Sequence, residues 1–291
     1  MEQADVLLIL NAMEDQMMHE GVLGFSPAVL AVLDDMDAGN NEIEALKFRI
    51  GRDVLMRIFN YAGSAYWGSL KKGSIKTFYE VVTRLGMAHT KAMILILSLK
   101  MLANDDPEIE EIFARCFSAA TLGKIMAGQF GLREESAKKV ELGGLFSETG
   151  RMIMEVYKKR WAPDDERIDK AFVDKYHVYL TERLIERFAL PEYLKNMIFH
   201  DGIVIEANYF TLSSITQLAV NMVSVSFQKY HGRLVIDVLP LPEGHDQSHS
   251  LEHIITDQFN SVGLGKYLRI IHKRERILPA YKYEGPPSHS A

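Results

Sequence analysis

Gly144-Leu145-Phe146-Ser147-Glu148-Thr149-Gly150 is the stretch from which the rest of the chain is read. Two glycines bracket an apolar pair and a polar triplet. A helical approach, Glu134 to Gly143, leads into it, and Arg151 to Tyr157 continues beyond it with Met152, Ile153 and Val156 at helical spacing. The stretch reads as part of a helix that carries Ser147-Glu148 between its two glycines.

Outward from this stretch, the periodicity stays helical. Val6, Leu7, Leu10 and Met13 mark a first amphipathic helix, Val29 to Leu33 a short one opened by Ser26-Pro27, and Glu42 to Ile50 another. Val54, Leu55, Ile58, Phe59 and Ala62 form one apolar stripe. A loop is expected at Tyr66 to Gly73, then a helix capped by Ser74 and ended by Gly86. Ala88 to Ala103 is nearly all apolar and therefore predicted to be buried on most sides. Asp106-Pro107-Glu108 is a helix start for the run to Gly128, Arg160 to Asp165 reads as a loop, and Ile168 to Phe188 is a long helix broken at Ala189-Leu190-Pro191. Glu192 to His200 and Asn208 to Tyr230 follow. Leu234 to Leu239 reads as either a strand or an extended tether, Ser248 to Phe259 as a helix, and Pro279 to Ala291 as a loose tail.

The bulk numbers narrow the function classes. The chain has 291 residues, 47% hydrophobic and 25% charged, which suits a globular protein of one large or two ordinary domains. A net charge of -6 argues against general nucleic-acid binding, which needs a basic surface to neutralise phosphates. The single cysteine, Cys116, excludes an intramolecular disulfide and a thiolate zinc cluster, and fits a cytoplasmic protein. The start Met1 to Asp5 lacks the basic opening of a secretory leader, and Ala92 to Leu99 is far shorter than the ~20 residues a membrane span requires, so no membrane role is expected. No Walker loop, dinucleotide fingerprint, nucleophile elbow or kinase signature occurs.

Asp53-Val54-Leu55-Met56-Arg57-Ile58, Ser64-Ala65-Tyr66, Lys72-Gly73-Ser74-Ile75 and Val82-Thr83-Arg84-Leu85-Gly86, in this order before an apolar helix, resemble the first half of the HDOD family, hydrolase-related output domains of bacterial signalling proteins. His177, Leu184, Phe188, Leu190-Pro191 and Ile198-Phe199-His200 resemble its later half, so the likeness spans roughly residues 25 to 225. Gly63 departs from it, standing where the family commonly has Asn. The resemblance implies an all-α, two-lobed protein, with a helical lobe over 1–103 and a degenerate HD-like lobe over 104–231; the C-terminal extension over 232–291, read as one or two helices and a loose tail, lies outside it.

It also implies what has been lost. The family's first histidine ligand falls on Arg115, and the His-Asp pair of its Gly-Leu-Leu-His-Asp-Ile-Gly pattern falls on Ser147 and Glu148. A phosphohydrolase of this kind needs those ligands to hold cations that polarise a phosphate and generate hydroxide, whereas Ser147 is a poor ligand and Arg115 repels metal. Glu148, His177, His200 and Asp201 remain. They read as a vestigial pocket holding a weakly bound divalent metal, or a small anionic ligand near Arg115, or else the histidines are ordinary hydrogen-bonded side chains at helix contacts. The expected role is a non-catalytic signalling output or adaptor module that binds a partner protein or small ligand. The alternative is a divergent phosphohydrolase acting on a nucleotide or cyclic dinucleotide. A second histidine series, His245, His249 and His253, could chelate a metal with Asp246 or Asp257 but is read as surface histidines. His272 to Arg276 reads as a solvated helix end, and Trp67 and Trp161 fall in expected loops.

Overall fold

The computed structural model describes residues 3–19, 22–25, 27–35, 37–64, 75–103, 106–198, 211–238 and 250–272. Among these the fold is all-α apart from one small sheet. The helices are α1 (Gln3–Met18), α2 (Pro27–Val32), α3 (Asn40–Ala45), α4 (Arg52–Gly63), α5 (Phe78–Leu85), α6 (Met87–Leu102), α7 (Pro107–Gln129), α8 (Glu134–Phe146), α9 (Thr149–Trp161), α10 (Lys170–Arg187), α11 (Leu212–Lys229) and α12 (Leu251–Ser261). Short 3₁₀ turns cover Leu46–Phe48, Glu192–Met197 and Gly265–Tyr267.

The ends are set by local chemistry. Asp106 accepts from the amides of Glu108 and Ile109, with Pro107 in the first turn of α7, as its sequence predicts. Asp169, Thr211 and Ser250 cap α10, α11 and α12 in the same way. The cap of α5 is not Ser74 but Thr77, in a reciprocal box with Glu80, so Ile75 lies before the helix. Gly86, at φ 88°, then turns the chain so that α5 and α6 meet at 111°.

Helix α6 is the axis of the core. Every residue from His89 to Lys100 is buried, as the unbroken apolar run requires. The buried Lys91 ammonium bonds to both Asp34 oxygens, at 2.7 and 2.5 Å, and to the Ala189 carbonyl at 3.1 Å. A polar cluster crosses the same core: the Tyr61 hydroxyl donates to Glu141 at 2.5 Å and lies 3.3 Å from His89 Nε2, while Lys124 sits 3.4 Å from Glu141. Since the tyrosine proton goes to Glu141, His89 Nε2 is the donor to the tyrosine oxygen. Burial, reinforced by Lys124 and Lys138, holds the His89 pKa well below its ordinary value, so its ring is neutral. Around this axis α7 packs on α8 and α11, and α9 on α10. Helix α1 crosses to α9 and α10, where Glu14 pairs with Arg183 at 2.5 Å. One continuous apolar core extends from Val6 to Tyr267, with a small satellite of Ala127, Ala137, Val140 and Ile215 beneath α7, α8 and α11.

The C-terminal extension holds the sheet. Strands β1 (Leu234–Val238) and β2 (Leu268–His272) pair in parallel, Leu234 opposite Leu268 and Val238 opposite His272, with α12 as the crossover. Residues 234–238 are thus a strand rather than a tether, and His272 ends a strand rather than a helix. Trp161 is the last residue of α9, not a loop residue. Trp67 and the stretch 279–291 lie outside the described residues. No single helix among the described residues is long and apolar enough to cross a membrane.

Candidate functional site

The glycines of the opening stretch place the site. A Cβ on Gly144 would overlap the backbone of Ala119 and Ala120 on α7, and a Cβ on Gly150 would overlap the His177 carbonyl on α10. Only glycine lets the joint between α8 and α9 press against both neighbours at backbone distance. Thr181 secures the second contact: its hydroxyl donates to the His177 carbonyl at 2.9 Å and accepts from the Gly150 amide at 2.8 Å. At the joint, Ser147 donates to the Gly144 carbonyl at 2.8 Å. Glu148, just before α9, is thereby turned toward α7 and α10.

Arg115 meets it there. Its Nε and Nη2 donate to the two Glu148 carboxylate oxygens at 2.9 and 2.8 Å, a bidentate pair, and its Nη1 donates to Glu111 one helical turn back at 3.0 Å. Arg151 lies 3.3 Å from the same carboxylate and donates to Asp174 at 2.6 Å. His177 faces this group, its Nδ1 buried without a hydrogen-bond partner among the described residues. Burial pushes the His177 pKa down to about 4, Arg151 acts in the same direction, and Glu148 and Asp174 oppose it, so the imidazole is neutral near pH 7. Burial alone would lower the Arg115 pKa, but the bond and charge of Glu148 overrule it and hold the guanidinium charged. The nearby Cys116 thiol is pushed up to about 12 by burial and by Glu148, which leaves it without nucleophilic thiolate.

Glu111, Arg115, Ser147, Glu148, Arg151 and His177 line a pocket of about 430 Å³ with Ile198, Val220 and Phe227 as its apolar wall and Ser224 and Gln228 reaching in from α11. Of the residues expected from sequence, Arg115, Ser147, Glu148 and His177 come together here. His200 and Asp201 lie outside the described residues, as do His245 and His249 of the other histidine series, whose His253 sits in the first turn of α12. Sequence reading missed Glu111, Arg151 and Asp174. Their signal was present, since each stands three or four residues from Arg115, Glu148 or His177 on the same helical face.

The donors at this site among the described residues do not suit a divalent cation. Two guanidinium groups converge on the Glu148 carboxylate, Arg115 also binds Glu111, and no three His, Cys, Asp or Glu residues cluster to hold an ion among the described residues. Electrostatically, the Arg115 guanidinium supplies the positive charge that balances Glu148.

The fold and this site together define an all-α protein with a bidentate Arg115–Glu148 salt bridge where α7 meets the start of α9. The HDOD domain matches residues 25–202, more than half of the chain, and the chain belongs to that family. Two solved structures are similar to the chain. One, an HDOD domain protein of unknown function from Geobacter sulfurreducens, is 15% identical, covered over 89% of each chain with a TM-score of 0.44. The other, a protein from Shewanella amazonensis SB2B provisionally described as a metal-dependent phosphohydrolase, is 14% identical over 88% of this chain and 96% of its own, with a TM-score of 0.52. No curated protein matches the chain.

Proposed function

We propose that this chain is a non-catalytic output or adaptor module of bacterial signal transduction, binding a partner protein or small ligand through one arrangement of its helices in preference to another. The observation that carries this reading is the bidentate Arg115–Glu148 pair. A hydrolase of this fold needs a water-activating cation at those positions, and an arginine already bound to the remaining carboxylate neutralises the charge that would attract one. Family membership supports the signalling role. The neutral His177 in the pocket favours a second reading, a divergent phosphohydrolase in which it ligates a metal.

Metal analysis of untagged protein, followed by assay against bis(p-nitrophenyl) phosphate and a cyclic dinucleotide with added Mn²⁺, separates the two. The expected outcome is substoichiometric metal and no turnover above the buffer blank. Stoichiometric metal with turnover abolished by His177→Ala would sink the adaptor reading.

A further inference from the structure

A second cavity, of about 700 Å³, shares no lining residue with the Arg115–Glu148 pocket. It opens where the start of α4, the end of α6, the first turn of α7 and the last turn of α9 meet. One wall is the chain at 22–25, fixed to α4 by the Gly51 amide, which donates to the Gly24 carbonyl at 3.1 Å, and by an antiparallel bridge between Phe25 and Ile50.

Three features of this cavity call for a ligand. The N-terminus of α4 has no side-chain cap, Gly51 having none to offer, and the amides of Arg52, Asp53 and Val54 have no acceptor among the described residues. The α7 terminus in the same wall is capped by Asp106, so the open amides are confined to α4. The Ser98 hydroxyl, on a residue only 2% exposed, lines the cavity and has no hydrogen-bond partner among the described residues, an arrangement buried polar groups rarely tolerate. The charges are Arg52, Lys159 and Arg160 against Asp53 and Asp106; Lys159 bonds to both Asp106 oxygens, at 2.8 and 2.9 Å, which leaves two arginines against Asp53. The rest of the lining is aliphatic, including Leu23, Val54, Ile109 and Val156.

We propose that this cavity binds a small amphipathic anion. Its carboxylate, phosphate or sulfonate sits on the open α4 amides beside Arg52, where the helix dipole adds to the attraction. Its body lies against the aliphatic wall, and a polar atom of it reaches Ser98. The volume matches that of small-molecule sites, ~300–1,000 Å³. Because the walls come from α4 and α6 on one side and α7 and α9 on the other, an occupant ties the N-terminal helices to those that carry Arg115 and Glu148. The site stands whether or not the Arg115–Glu148 pocket is catalytic.

Fluorescence titration of the full chain with 8-anilinonaphthalene-1-sulfonate tests it, with decanoate and AMP as competitors. One saturable site is expected. Arg52→Glu, an exposed position, should weaken it at least ~tenfold, as should Ser98→Leu once circular dichroism shows that variant folded, while Arg133→Glu on the distant start of α8 should leave it unchanged. Displacement by decanoate assigns an aliphatic acid and displacement by AMP a nucleoside phosphate, and either upholds the proposal. Binding that fails to saturate, or that is weakened equally by Arg52→Glu and Arg133→Glu, overturns it.

Discussion

Arg115 and Glu148 are 33 positions apart in sequence, and nothing in their spacing pairs them. What sequence supplied was each residue separately, through the family pattern that puts a ligand at each position. The bidentate geometry comes from the packing of α7 on the α8–α9 joint, which no local signal encodes. Neither side chain is far from water, at 20% and 16% exposed, so removing one partner costs less than it would in a fully buried pair. Arg115→Ala leaves Glu148 with Arg151 alone and should cost about 2 kcal/mol in urea unfolding. Arg115→Ala with Glu148→Gln should cost about 1 kcal/mol less than the two single changes added together, because the uncompensated charge is gone. Additive losses would mean that the two groups do not interact in solution. Glu111, Arg151 and Asp174, which sequence reading missed, do carry a local signal, since each stands three or four positions from Arg115, Glu148 or His177.

At the scale of elements, the helices were legible because apolar periodicity and end signals agreed: Asp106-Pro107 opens α7 and the Ala92 to Leu99 run is buried, as expected. Errors arose where two signals competed. Ser74 and Thr77 are both capping residues, but only Thr77 has a glutamate three positions on to return the hydrogen bond. Leu268 to Ile271 is too short for periodicity to separate strand from helix end, and its β-branched content tipped it to strand once Leu234 to Val238 was there to pair with. The same scale explains why the glycines of the joint differ. Gly150 faces the α10 backbone, which cannot step aside, so Gly150→Ala should lower stability by at least about 3 kcal/mol or prevent folding. Gly143 faces the Met197 thioether at 2.9 Å and the Thr216 side chain, both of which can move. Its better helix propensity as alanine, about 1 kcal/mol, should offset most of the crowding, so Gly143→Ala should fall within about 1 kcal/mol of the parent in the same assay. Equal effects of the two substitutions would refute backbone contact at Gly150.

The whole molecule is closed by the part of the chain that the family pattern does not reach. Residues 234–272 lie beyond the HDOD match at 25–202, and sequence alone left their packing open because a short strand and a single helix carry no address for their partners. They bind α4 and α7 of the family fold. Arg57 on α4 donates to the Val262 carbonyl at 2.8 Å, Phe259 packs edge-on to Phe117 of α7 with ring centroids 5.4 Å apart, and Glu110 of α7 pairs with Lys266 while lying 3.8 Å from Lys100 of α6. Ile255, Phe259, Val262 and Leu264 are fully buried in the main core. Burial of four such side chains contributes about 6–12 kcal/mol, comparable with the ~5–15 kcal/mol that holds a whole domain folded. The extension is therefore part of the cooperative unit and not an appendage. A chain ended after Gly232 should unfold at much lower urea than the parent, or be recovered only as aggregate through its exposed Phe117 face. Phe259→Ala in the full-length chain should retain the fold while losing about 3–4 kcal/mol, since it opens a cavity against Phe117 without removing the strands. If truncation left the unfolding midpoint unchanged, the family region would fold alone, and the contacts of Arg57, Phe117 and Glu110 with the extension would not contribute to stability.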